Sequence, residues 1–216
     1  MSPAATSPPH RIGLLGGSFD PPHLAHLALG RLAMRALALD ELRWLPAGSP
    51  WQKAGRAITP GRHRQAMLSL LLDGAPGWAV DAREIERAGP TYTLDTVRAL
   101  QAEWAESGRA PAQWFLVLGQ DQFARFDTWH RWRELLPLVT LAVAGRDGQA
   151  VVAPPALAGS GGHWVALDLA PLAISASAIR RHCAAGEPVA ALVGAALARY
   201  IDQHQLYRPG ASPVSS

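Results

Sequence analysis

Two histidines three positions apart, His23 and His26, follow the segment Gly16-Gly17-Ser18-Phe19-Asp20-Pro21-Pro22. On a helix that spacing puts both imidazoles on one face. Glycines in the preceding turn let the backbone approach an anion closely, and the free N–H groups of a helix start point toward it. Imidazoles beside such a turn can donate to phosphate oxygens and offset charge that develops during group transfer. The same pair also suits half of a zinc site or a solvated helix face. No third ligand lies near it in sequence, because the only cysteine is Cys183.

Two further segments carry phosphate chemistry. All but one of the 20 basic residues are arginine, and the exception is Lys53, in Gly48-Ser49-Pro50-Trp51-Gln52-Lys53. A lysine there offers a compact point charge to a phosphate, with chance retention as the plain alternative. Ile174-Ser175-Ala176-Ser177-Ala178-Ile179-Arg180 opens a helical pattern. Its serines read as ordinary N-caps. Arg180, one turn beyond Ser177, can also hold a polyphosphate by fork-like hydrogen bonds while Ser175, Ser177 and backbone N–H groups hold it from below.

The elements that must position these groups alternate along the chain. Short apolar runs predict strands at Ile12–Leu15, Leu42–Leu45, Trp78–Val80, Trp114–Leu118, Thr140–Ala144 and Trp164–Leu167. Amphipathic periodicity predicts helices at Leu24–Leu39, Arg62–Leu72, Leu94–Glu106, Trp129–Leu135, Ser175–Ala184 and Val189–His204. Non-alternating strands separated by helices mean an α/β fold: a Rossmann-like doubly wound parallel sheet, helices on both faces, and a small helical C-terminal segment from about residue 172. Ligands of such sheets bind at the carboxyl ends of the strands, where the strand order reverses. The Ala, Pro and Gly-rich stretch Gly145–Gly162 reads as a surface loop.

At 216 residues with 49% apolar content the chain is expected to form one domain over 11–207. Residues 1–10 and 208–216, rich in Pro, Ser and Ala, read as disordered tails, and the first of them lacks the apolar core of a signal peptide. The formal charge of +3 comes from scattered arginines, which argues against a nucleic-acid partner. No apolar run reaches the ~20 residues of a membrane span, and a lone cysteine fits a reducing compartment. A cytoplasmic protein is expected, with homo-oligomerisation left open.

The first segment resembles the Gly-Gly-[Ser/Thr]-Phe-Asp-Pro-x-His-x-Gly-His signature of the nucleotidylyltransferase superfamily, with Ala25 in place of its last glycine. Ile174–Arg180 is similar to the superfamily's Ile-Ser-[Ser/Thr]-[Ser/Thr]-x-Ile-Arg element, with Ala176 replacing one hydroxyl residue. Glu84-Ile85-Glu86-Arg87-Ala88-Gly89-Pro90-Thr91-Tyr92-Thr93-Leu94-Asp95-Thr96 looks like an element of bacterial nicotinate-nucleotide adenylyltransferases. Leu118-Gly119-Gln120-Asp121 with Trp129 downstream, Arg64 with Met67-Leu68, and the ending Tyr200-Ile201 and Leu206-Tyr207 fit the same family. The resemblance spans about Arg11 to Tyr207.

That resemblance implies transfer of adenylate from ATP to nicotinate mononucleotide, giving nicotinic acid adenine dinucleotide and pyrophosphate. It implies catalytic roles for His23, His26, Lys53 and Arg180, with ATP and its phosphates on Gly16, Gly17, Ser18, Phe19, Asp121, Ser175 and Ser177. Thr91, Tyr92, Thr93 and Trp129 would receive the pyridine nucleotide. Thr91, Thr93 and Asp121 read equally as helix caps, and Trp129 as packing. Magnesium is expected to arrive on ATP, with no dedicated metal site. The rival readings are adenylylation of nicotinamide mononucleotide or phosphopantetheine, and a nucleotide-binding module without catalysis.

Overall fold

The structure is a computed structural model and describes residues 8–48, 58–145 and 149–209. Its centre is a six-stranded sheet in the order β3-β2-β1-β4-β5-β6. The strands are β1 (His10–Gly17), β2 (Glu41–Pro46), β3 (Trp78–Val80), β4 (Ala112–Gly119), β5 (Thr140–Ala144) and β6 (Trp164–Leu167). Every neighbouring pair is parallel. From β1 the order runs outward through β2 and β3 on one side and through β4, β5 and β6 on the other. The reversal therefore lies between the carboxyl ends of β1 and β4.

Successive residues of β4 explain why both faces need cover. Trp114, Leu116 and Leu118 pack into one apolar cluster, and Phe115 and Val117 into another. Helices α1 (Leu24–Ala36) and α2 (Gly61–Leu72) supply Leu29, Ala33, Leu68 and Leu72 to the second cluster. The first is closed by α4 (Thr93–Glu106), α5 (Gln120–Phe123) and α6 (Trp132–Leu135), through Leu94, Val97, Leu100, Phe123 and Trp132. The short α3 (Arg83–Glu86) precedes α4. A third cluster joins Met67 and Leu71 of α2 to α7 (Ala176–Ala184), α8 (Ala190–Val193) and α9 (Ala195–Gln203), with Cys183 buried inside it.

The sequence expectations and the structure part company at a few backbone positions. Val189–His204 is not one helix: Gly194, at φ +88° and ψ 155°, separates α8 from α9. Trp129–Leu135 is likewise interrupted. A 3₁₀ turn covers Phe126–Thr128, Trp129 is extended, and Arg131 at φ +52° precedes the single turn of α6. The stretch after Gly145 is not wholly superficial, because a 3₁₀ turn at Pro155–Leu157 places Leu157 in the first cluster. Among the described residues no helix is long and apolar enough to cross a membrane.

Candidate active site

β1 delivers its chain into the crevice at the reversal point. Gly16 is exposed, while Gly17 and Ser18 are half-buried. The Gly17 carbonyl accepts from the Ala47 N–H at 2.8 Å, which keeps the turn aligned with the end of β2. Phe19 sits at φ +46°, an uncommon conformation for a bulky residue, and is 1% exposed. Its ring lies 5.1 Å from the His26 ring and 5.8 Å from that of Trp44. A Cβ on Gly17 would come within 3.0 Å of the Phe19 ring, so the second glycine is needed to let that ring pack. The Asp20-Pro21 peptide is cis.

His23 occupies the N-cap of α1, and its backbone N–H donates to His26 Nδ1 at 3.2 Å. An accepting Nδ1 assigns the ring proton of neutral His26 to Nε2, where it is a donor. The two imidazoles stack with centroids 3.7 Å apart. His23 is 6% exposed and its Nδ1 is buried without a hydrogen-bond partner. Burial holds its pKa near about 4, well under the ordinary 6.5, so the ring is neutral at physiological pH.

A cavity of about 470 Å³ opens beside these groups. His23 and Ala25 line it from α1, Asp121 from α5, Ser175 and Ala176 from α7. Both departures from the superfamily signatures, Ala25 and Ala176, therefore face the same space. Ser175 is the N-cap of α7, and its hydroxyl accepts from the Ala178 N–H at 3.2 Å. Arg180 donates to the Ser177 hydroxyl at 2.9 Å and, through its other amino group, to the Asp20 carbonyl. Lys53 lies outside the described residues.

The Asp20 carboxylate accepts the Tyr207 hydroxyl at 2.8 Å, so the end of the described chain locks the turn after β1. Burial and the neighbouring Asp20 charge push the Tyr207 phenol far up. This lock pairs residues far apart in sequence, and only the sequence pattern of each alone was visible. Arg64 is a second residue that the motif reading leaves without a role. It is 3% exposed and bonded to the carbonyls of Ser18, Ala47, Gly48 and Thr59. Its signal in the sequence is a charge on the buried stripe of Met67, Leu68 and Leu71.

Thr91, Tyr92, Thr93 and Trp129 do not line the cavity beside His23; the first three lie on the connection between α3 and α4. Thr91 is 7% exposed, Tyr92 is the N-cap of α4, and Thr93 begins that helix. Tyr92 has no side-chain cap bond, which leaves the first N–H groups of α4 without an N-capping side chain. Buried Glu84 accepts the Thr96 hydroxyl at 2.8 Å, tying α3 to α4. Desolvation pushes the Glu84 carboxyl up, and that hydrogen bond and Arg87 oppose the shift. The Tyr92 ring stacks on His130 at 4.1 Å, which draws the segment containing Trp129 against this connection. Trp129 is half-buried on Phe126, 5.2 Å away, with its Nε1 lacking a partner.

Among the described residues no group of three or more His, Cys, Asp or Glu side chains is placed to hold a metal ion. The polar groups at the crevice instead suit an anion: uncapped and serine-capped helix starts, two stacked imidazoles, and an arginine.

Comparison with known proteins agrees with this chemistry. Residues 14–182 match the cytidylyltransferase-like family model. A protein of Methylibium petroleiphilum named probable nicotinate-nucleotide adenylyltransferase is 50% identical over 207 residues, covering 94% of this chain and 95% of its own. A Bordetella petrii protein of the same name is 48% identical, with 92% and 99% covered. Nicotinic acid mononucleotide adenylyltransferase of Plasmodium falciparum, solved in complex with NaAD, shares the fold at a TM-score of 0.72 and 16% identity, with 92% of this chain and 97% of that one covered. The chain is a nucleotidyltransferase and belongs to the nicotinate-nucleotide adenylyltransferases of the cytidylyltransferase-like family.

Proposed function

We propose that the protein joins ATP and nicotinate mononucleotide to give nicotinic acid adenine dinucleotide and pyrophosphate, in the cytoplasm. The observation that carries the reading is the single cavity that places His23, Asp121 and Ser175 together at the strand-order reversal. The name shared by relatives near 50% identity supports the choice of mononucleotide.

A 5′-phosphate oxygen of the mononucleotide attacks the α-phosphorus of ATP in line. The new P–O bond forms as the bond to the bridging oxygen breaks, and that electron pair leaves on pyrophosphate. The attacking phosphate is ionised at neutral pH, so no general base and no covalent enzyme intermediate are required. Catalysis is then positioning and neutralisation of charge. His23 and His26 donate to the ATP phosphates at the transferring centre. A neutral His23 does this without losing a proton, as its low pKa suits.

The Gly16-Gly17-Ser18-Phe19 turn receives the incoming phosphate. Ser175, Ser177 and the start of α7 hold the triphosphate, and Arg180 exchanges the Asp20 carbonyl for a phosphate oxygen. Lys53 adds a point charge, and Asp121 faces the ATP side of the cavity. Magnesium would arrive bound to ATP and would offset part of the charge on its phosphates. Thr91, Tyr92, Thr93 and the first N–H groups of α4 receive the nicotinate carboxylate, with the Trp129 ring against the pyridine.

Purified protein incubated with ATP, magnesium and each of nicotinate mononucleotide, nicotinamide mononucleotide and phosphopantetheine tests the assignment by product mass. The expected product is nicotinic acid adenine dinucleotide. An adenylylated product formed only from the other acceptors reassigns the substrate, and no product from any of them overturns the reading.

A further inference from the structure

Arg64 lies on α2 beneath the crevice floor, 3% exposed. A buried guanidinium is costly unless its donors are matched, and here they meet main-chain oxygens from three segments. Nε donates to Thr59 at 2.8 Å, one amino group to Ser18 at 3.0 Å and Ala47 at 2.6 Å, the other to Gly48 at 3.3 Å. Desolvation weakens its proton affinity, and the charge of Asp20 restores part of it.

The Ser18 carbonyl and the Phe19 N–H belong to one rigid peptide unit. Holding the oxygen on Arg64 therefore sets the direction of the N–H on the opposite side of the turn. Phe19 itself stands at φ +46°, a conformation that persists for a bulky residue only when its surroundings over-determine it. Its ring is fixed by Gly17, His26 and Trp44 from one side. Arg64 fixes its backbone from the other.

The same guanidinium also reaches, through Gly48, the connection between α3 and α4. Gly48, bonded through its carbonyl, packs so tightly that a Cβ would stand 1.9 Å from the Glu84 carbonyl and 3.1 Å from Thr91 Cγ2. We infer that Arg64 is a positioning residue for adenylyl transfer: it holds the Ser18–Phe19 peptide in its working orientation and, through Gly48, ties that turn to the Thr91 segment. The inference rests on the function proposed above. It needs a fork, because a lysine ammonium cannot span four carbonyls spread around a plane.

Arg64→Lys keeps the charge and removes the span, and it is assayed well below its melting temperature. Expected is a fall in kcat of about 10-fold to 100-fold per folded enzyme, from misplacement of a group that Arg64 itself does not touch the substrate to hold. A second readout needs no substrate. Release of Phe19 loosens its contact with His26 and thus the His26–His23 stack, so the His23 titration followed by NMR moves up from about 4 toward 6.5.

A variant with a lower melting temperature but unchanged kcat and unchanged His23 titration overturns the proposal, since Arg64 then only supports stability. Arg64→Gln, which keeps one or two amide donors, repeats the test if the lysine variant does not fold. Failure of both to fold makes Arg64 a support of the whole domain and also overturns it. A parent enzyme without adenylyl transfer, with the His23 shift still present in the variant, refutes the proposed reaction and leaves the positioning role standing.

Discussion

The two ends of the sheet hold cavities of opposite character. At the amino ends of the strands a space of about 1070 Å³ is lined by Arg11, Trp104, Arg109, Gln113 and His163. It is more than twice as large as the one at the carboxyl ends. Arg11, Gln113, Trp104 and Arg109 in its lining already have partners. Arg11 donates to the Leu37 carbonyl at 2.7 Å and to Gln113, and lies over the Phe115 ring. Trp104 Nε1 donates to the Ala110 carbonyl at 2.8 Å, and Arg109 covers the Trp104 ring at 3.7 Å. At the carboxyl ends the smaller cavity holds a buried His23 with an unmatched Nδ1 beside a strained Phe19. Free volume is a poor guide to a site. Polar capacity that the fold leaves unused is a better one.

The largest expected effect tests that contrast directly. His23→Ala and His26→Ala are each expected to lower kcat by ~10²–10³ with the fold intact, because the charge they offset arises in the transition state. Steady-state kinetics beside a melting curve measure this. Parent-like turnover from either variant removes the imidazole pair from the mechanism.

Next in size is the choice between mononucleotides, which asks whether the unmatched donors at α4 serve a carboxylate. Nicotinate mononucleotide is expected over nicotinamide mononucleotide by roughly five- to 150-fold in kcat/KM. One buried donor facing an amide donor costs ~1–3 kcal/mol, which gives that range. A ratio near one shows that the first turn of α4 does not read the carboxylate.

Much of this arrangement was legible in the sequence, and the exceptions share a physical cause. All six strands lie where short apolar runs place them: β1, β2, β4 and β5 because a strand covered on both faces has no polar alternative, the partly exposed edge strands β3 and β6 on apolar composition alone. The helix breaks at Gly194 and Arg131 were not legible, because a positive φ leaves no mark on apolar periodicity. His23, Ser175 and Asp121 came from motif positions, and the fold gathers them around one cavity. The Tyr207–Asp20 bond and the four carbonyls on Arg64 join segments distant along the chain. No local pattern encodes such pairings, although a charged residue on the buried face of α2 signals that one exists.

The pH dependence of stability sharpens the comparison further. The folded His23 protonates only near about 4, and the unfolded chain protonates it near 6.5. Below 6.5 the unfolded state therefore binds the proton first, and stability falls as pH drops from 6.5 to about 4. At ~1.4 kcal/mol per unit the full loss is on the order of 3 kcal/mol. Denaturant melts of the parent and His23→Gln at a series of pH values measure it. The variant is expected to lose less stability across that window, and identical slopes show that His23 is solvated in the folded protein.

The smallest effect is expected at the other end, where the comparison is easiest to break. Arg109 is exposed and stacks on Trp104, with its Nε on the Ser107 hydroxyl at 2.8 Å. An exposed cation–π contact contributes ~0.5–1 kcal/mol, so Arg109→Ala is expected to lower the melting temperature slightly. The phosphate turn and the α7 N-terminus sit at the opposite ends of the strands from Arg109, whose partners Ser107 and Trp104 belong to neither. Turnover and both KM values are therefore expected to match the parent. The check is a full kinetic comparison of Arg109→Ala with His23→Ala at one temperature. A large rate loss from Arg109→Ala, with the fold retained, gives the larger cavity a part in the reaction and reverses the argument from unmatched polar groups.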